Sequence, residues 1–246
     1  MSLIRAASLS VAVLALAQDV RAQGAPNAAT TFTIRVENIS KGEVLKLSNG
    51  TAAPFVSAPV VWAVHTGSTN PIFTGGQPEA GQGLEVLAET GNPGPIAKSL
   101  GSTPGVAAAG GVDRPQGDLL GGPLTPGKAY EFEITAEPGQ ALSLAWMFGQ
   151  SNDLFYSNGR PIALFTPAGK PVSGDMTPQV SLWDAGTEVN EEPGLGPNQA
   201  PRQKAEDAGT VERNAIAHVS DPYTYPRTAA VLRLAVTSKS SAVSSK

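Results

Sequence analysis

Ala129-Tyr130-Glu131-Phe132-Glu133-Ile134-Thr135-Ala136-Glu137-Pro138-Gly139-Gln140-Ala141-Leu142-Ser143-Leu144-Ala145-Trp146 decides the fold. Tyr130, Phe132 and Ile134 alternate with Glu131, Glu133 and Thr135, and Leu142, Leu144 and Trp146 resume the alternation beyond Pro138-Gly139. Successive side chains of an extended chain point to opposite faces, so a period of two marks a strand with one buried face. A Pro-Gly pair between two such runs signals a turn, and residues 128–148 are therefore expected to form a hairpin. Phe32, Ile34 and Val36 repeat the pattern upstream, and Leu232, Leu234 and Val236 repeat it near the end. Val60-Val61-Trp62-Ala63-Val64 is apolar throughout, as expected of a central strand, and Gln179 to Trp183 is a further short candidate.

Helical signals are sparse. Gln82 to Glu89 has room for two turns before Gly91-Asn92-Pro93, and Ile96 to Leu100 for one more before Gly101. The 27 Gly and 21 Pro punctuate short strands and long loops. These features predict an all-β chain: an antiparallel β-sandwich with long loops and one or two short helices, in one domain. Two segments read as long loops, Gly101 to Gly127 and Thr187 to Arg213. Loops of that length are commonly functional.

Met1 to Arg5 is short and positive, Ala6 to Ala17 is small and apolar, and Val20-Arg21-Ala22 offers small residues at a cleavage site. This is the pattern of a secretory signal peptide over 1–22, followed by a leader over 23–30, a domain over 31–237 and a disordered tail over 238–246. The apolar run is shorter than the roughly 20 residues of a membrane-spanning helix. A bacterial periplasmic or secreted location is expected. The absence of Cys excludes a disulfide framework and a lipid-modified Cys, so the apolar core must suffice. The chain carries a net charge of −4, which becomes −5 without Arg5, Asp19 and Arg21. No Lys/Arg cluster offers the basic face that nucleic-acid binding requires.

Two acidic segments follow strand candidates: Gly149-Gln150-Ser151-Asn152-Asp153-Leu154-Phe155 and Ser181-Leu182-Trp183-Asp184-Ala185-Gly186-Thr187-Glu188. If the two strands end at one rim, Asp153 and Asp184 converge, and Glu188 curls back across Gly186. Converged carboxylates repel unless a cation neutralises them, and a hard cation such as Ca²⁺ takes oxygen ligands from such loops. Asp153, Asp184 and Glu188 are the candidate metal ligands, with Asn152 or Ser151 as further oxygen donors. The competing reading is that Asp153 and Asp184 cap turns. His65 and His218 are expected to be structural, and Trp62, Trp146 and Trp183 to be core. Phe155 and Tyr156 are placed in a loop, where they either meet a membrane or partner or cover the end of the sandwich. No Cys and no Gly-x-Ser-x-Gly turn supports a nucleophilic enzyme. A carboxylate-based hydrolase using Asp153 and Asp184 is the catalytic alternative.

Three blocks resemble the spondin N-terminal domain family, known from bacterial spondin-domain proteins and from F-spondin and mindin. The first runs from Ser57-Ala58-Pro59-Val60 through His65 and Gly75 to Ala88-Glu89-Thr90-Gly91. The second is Ser151-Asn152-Asp153-Leu154-Phe155, and the third is Leu182-Trp183-Asp184-Ala185-Gly186-Thr187-Glu188. The resemblance spans residues 30–237. It implies a C2-like sandwich with calcium held at one end by Asp153, Asp184 and Glu188. Leu154 stands where the family has Trp, and Glu188 where it has Asp. The function so implied is an exported calcium-binding recognition or adhesion module without catalytic activity. Its partner would be an extracellular or periplasmic protein, glycan or lipid surface. A C2-like lipid-binding module is the alternative binding class.

Overall fold

The computed structural model describes residues 29–239. The expected signal peptide, most of the leader and the tail beyond Lys239 lie outside the described residues. The strands are β1 (Thr30–Asn38), β2 (Leu45–Lys46), β3 (Ala52–Ala53), β4 (Ser57–Thr66), β5 (Val106–Val112), β6 (Ala129–Ala136) and β7 (Gln140–Phe148). They continue with β8 (Leu154–Ser157), β9 (Ile162–Ala163), β10 (Gly174–Asp175), β11 (Ser181–Asp184), β12 (Ala217–His218) and β13 (Leu232–Ser238). Three short helices join them: α1 (Leu84–Thr90), α2 (Gly94–Leu100) and the single turn α3 (Thr228–Val231). No described helix is long and apolar enough to cross a membrane.

The chain is an antiparallel β-sandwich. One sheet runs β10-β13-β1-β6, and the larger runs β12-β11-β8-β7-β4-β5 with β9 also paired to β7. Phe32, Ile34 and Val36 of β1 meet Leu142, Leu144 and Trp146 of β7 in the core between the sheets. A second core lies on the other side of the larger sheet. There Leu84, Leu87, Ile96 and Leu100 of the helices cover Val61, Ala63, Ala145 and Phe155. Full burial of such a side chain is worth roughly 1.5–3 kcal/mol, which explains how the chain holds together without disulfides.

The expected hairpin over 128–148 is corrected. β6 pairs with β1, whereas β7 pairs with β4, β8 and β9. Pro138-Gly139 therefore turns an arch that carries the chain from one sheet to the other. The two strands differ in burial. β6 has exposed Glu131 and Glu133, whereas β7 is buried at every position from Leu142 to Phe148. A strand apolar on both faces belongs in the middle of a covered sheet, and a strand polar on one face belongs on the outside.

Gly101 to Gly127 is not a structureless loop, because β5 lies within it. Its small residues hide the pattern but serve the packing. A Cβ on Gly110 would lie 2.9 Å from the Trp62 ring, and one on Gly111 would lie 2.8 Å from Pro93 beside α2. Only glycine lets both neighbours sit that close to the backbone.

Candidate functional site

The antiparallel pairing of β8 with β11 sets Leu154 opposite Asp184 and Phe155 opposite Trp183. The start of β8 and the end of β11 therefore share one rim of the larger sheet. Asp153 precedes β8, and its carbonyl accepts the Ala185 N–H at 3.2 Å. Asp153 and Asp184 thus reach the same end, through strand register.

Asp153 is fully buried. Its Oδ2 accepts the Thr187 N–H at 2.9 Å, the Glu188 N–H at 3.0 Å and the Thr187 hydroxyl at 3.2 Å. Its Oδ1 is buried without any hydrogen-bond partner among the described residues. Burial, followed by the charge of Asp184, pushes the Asp153 carboxyl up to about 7 despite those hydrogen bonds. Asp184 is half-buried. Its Oδ1 accepts the Gly186 N–H at 2.7 Å and its Oδ2 accepts the Asn190 amide at 2.6 Å. Burial raises its pKa, and these bonds act against the rise. Gly186 has φ 70°, and a Cβ there would lie 2.7 Å from the Asn214 carbonyl. Asp184 therefore does cap a turn, as the competing expectation has it, while also standing at the rim.

Glu188 is buried, with Oε1 accepting the Gly209 N–H at 2.8 Å and Oε2 accepting the Asn152 amide at 3.3 Å. The Thr187 to Arg213 segment is a loop, but its ends are laced together. Val189 N–H donates to Thr210 O, Glu212 N–H to Thr187 O, and Asn214 N–H to Gly186 O. That lacing brings Asp207 over the end of α1.

Sequence reasoning did not select the carboxylates found there. Glu85, Glu89 and Asp207 each place an oxygen within 4.8 Å of the others, the spacing a shared ion needs. Asp153, Asp184 and Glu188 are not the trio that meets this spacing. Glu89 is almost wholly buried. It accepts the Asp207 N–H at 3.3 Å and the Thr187 hydroxyl at 3.5 Å. The same hydroxyl faces Asp153 Oδ2, and it has one proton to give. Burial and then the charge of Glu188 raise Glu89 to about 8. Glu85 is raised by burial and then by Asp207, Glu79 and Glu188. A usable signal was present, since Glu85 and Glu89 are four apart on a helix and share a face. Asp207 comes from a distant loop and gave none. Among the described residues, no Lys or Arg forms an ion pair with any of these carboxylates.

The remaining candidates are structural. His65 is buried and shares a 2.9 Å hydrogen bond with the Ser143 hydroxyl, and His218 stacks on Trp183 at 3.9 Å. Trp146 is core, whereas Trp62 and Trp183 are partly buried at its margins. Phe155 and Tyr156 lie in β8 and are fully buried, which corrects their placement in a loop. Phe155 packs edge-on against Phe73 at 5.2 Å, so it covers the sheet instead of projecting from it.

A scan against protein-family models finds no match to the chain, and no curated protein matches it.

Proposed function

We propose that this chain is an exported, non-catalytic recognition or adhesion module of the spondin N-terminal type, with a divalent cation, calcium, bound at the acidic rim. One observation carries the reading: among the described residues, Asp153 Oδ1 is buried and has no hydrogen-bond partner, at a rim where carboxylates gather without a Lys or Arg in salt-bridge contact. An unpartnered buried carboxylate oxygen is costly, and a cation would remove that cost. The donors are all oxygen, which suits a hard ion. Asp153 fits the role through its free Oδ1, whereas both oxygens of Asp184 are engaged, by the Gly186 N–H and the Asn190 amide. Glu188 fits less well, because both its oxygens are engaged by Gly209 and Asn152. The burial of Phe155 removes the aromatic that would have entered a membrane, so a protein or glycan partner is favoured over a lipid surface.

Calorimetric titration of calcium into chelator-treated protein, paired with thermal unfolding, tests this. Binding heat and a raised unfolding midpoint are expected, since a ligand of the native state stabilises it. Absence of both at millimolar calcium overturns the reading. Loss of the heat in Asp184→Asn with retention in Asp207→Asn puts the ion beside Asp153. The reverse result puts it at Glu85, Glu89 and Asp207.

A further inference from the structure

We propose that β5, the outer strand of the larger sheet, docks the β5 of a second copy of this chain, antiparallel and centred on Ala109. This rests on the fold alone and is independent of any ion.

Among the described residues the two large sheets end on four strands, of which three are blunted, and the separate β2-β3 pair is only two residues long in each strand. β10 and β12 are two residues long, and β6 carries exposed Glu131 and Glu133 along its length. Short or charged edges resist pairing with another chain. β5 differs: it is seven residues long, Val106-Ala107-Ala108-Ala109-Gly110-Gly111-Val112, with neither charge nor Pro.

Its outer backbone groups can be identified. Thr66 N–H donates toward β5, to the Gly105 carbonyl at 2.8 Å. On β7, the Leu144 N–H and the Leu142 carbonyl turn away from β4, toward Asn158. Leu144 and Leu142 stand opposite Trp62 and Val64, so the backbone groups of Trp62 and Val64 face β5. Their β5 partners, Gly110 and Ala108, are thus turned inward. Ala109 and Gly111 turn their N–H and C=O outward; among the described residues β5 pairs with β4 alone, and no loop backbone hydrogen bond meets these two.

Pairing two such strands about Ala109 sets Val106 opposite Val112, Ala107 opposite Gly111 and Ala108 opposite Gly110. Ala thus meets Gly at the close pairs, valines cover both ends, and no charges oppose. The facing Ala109 pair exchanges two new main-chain hydrogen bonds, while Ala107, opposite Gly111, sits where the register of β5 on β4 shifts between Val64 and His65. The arrangement is isologous and closes at two copies. Leu119 and Leu120, 91% and 80% exposed, sit on the loop that leaves β5 at Asp113 and returns at Gly122, whose N–H donates to Asp113 O at 2.8 Å.

Sedimentation velocity of the full chain, from micromolar to several hundred micromolar, tests the proposal. A concentration-dependent dimer is expected, with slowed amide exchange at Ala109 and Gly111 as it forms. Ala109→Pro removes an outward N–H and no bond to β4, and should make association at least about tenfold weaker. Ala108→Lys places a charge on the exposed edge and should act likewise, even if the proline variant unfolds. A wild-type chain that stays monomeric overturns the proposal, including one that captures some other extended peptide. Dimerisation unaffected by Ala108→Lys also overturns it.

Discussion

Asp153 Oδ2 accepts the backbone N–H of Glu188 at 3.0 Å. One expected ligand therefore organises the turn that carries another. Through this bond and the two from Thr187, the Asp153 side chain holds the end of β11 against the start of β8. Its second oxygen has no hydrogen-bond partner among the described residues.

Asp153→Ala should lower stability by about 2–4 kcal/mol, because three donors lose one acceptor inside the protein. Asp153→Asn should cost less, since an amide oxygen can take the place of Oδ2, and should still abolish calcium heat. Urea unfolding of both variants checks the order.

Stability should fall as pH rises from about 5 to above 8 in chelator-treated protein. The Glu89 and Asp153 carboxyls are raised in the fold to about 8 and about 7, above the ordinary carboxyl range of about 4. Between those values the native state binds more protons than the unfolded chain, so unfolding becomes easier with rising pH. Thermal midpoints across this window measure the slope, and added calcium should flatten it.

Glu89→Gln keeps the shape and removes a buried charge. At pH 8 it should stabilise the calcium-free chain by on the order of 1 kcal/mol, a rise of roughly 2–4 °C for a domain of this size. The gain should vanish near pH 5, where Glu89 is already protonated. A scanning calorimeter at the two pH values decides this.

Gly186→Ala meets two obstacles, φ of 70° and a carbonyl 2.7 Å from the new Cβ. A loss of about 1–3 kcal/mol is expected. The turn between Asp184 and Glu188 should shift with it, weakening calcium binding more than an equally destabilising change in the core.

Phe155→Ala should cost about 3–5 kcal/mol, as for other large aromatic truncations in packed cores. Phe155 is buried against Phe73, so wild-type protein should not bind anionic vesicles through it. Chemical denaturation and vesicle co-sedimentation test the two halves separately.

The sandwich was legible because alternation survives along β1, β6, β7 and β13 and because β4 is apolar throughout its middle. β5 escaped notice because alanine and glycine carry almost no hydropathy contrast, although their smallness is what admits Trp62 and Pro93. β8 was misread as loop because it is only four residues long and follows directly on the polar run Gly149 to Asp153. Asp153 and Asp184 were found by their position after strands. Glu89 had a helical partner in Glu85, but nothing local linked it to Asp207, 118 residues away.

From the residues alone came the β class, the absence of Cys and the two acidic segments beside strands, since periodicity and composition are local properties. Which sheet each strand joins, which carboxylates meet and which edge stays unpaired were decided only by the tertiary structure. Pairing and convergence depend on contacts between distant segments, and the same alternating pattern serves a hairpin and an arch equally well.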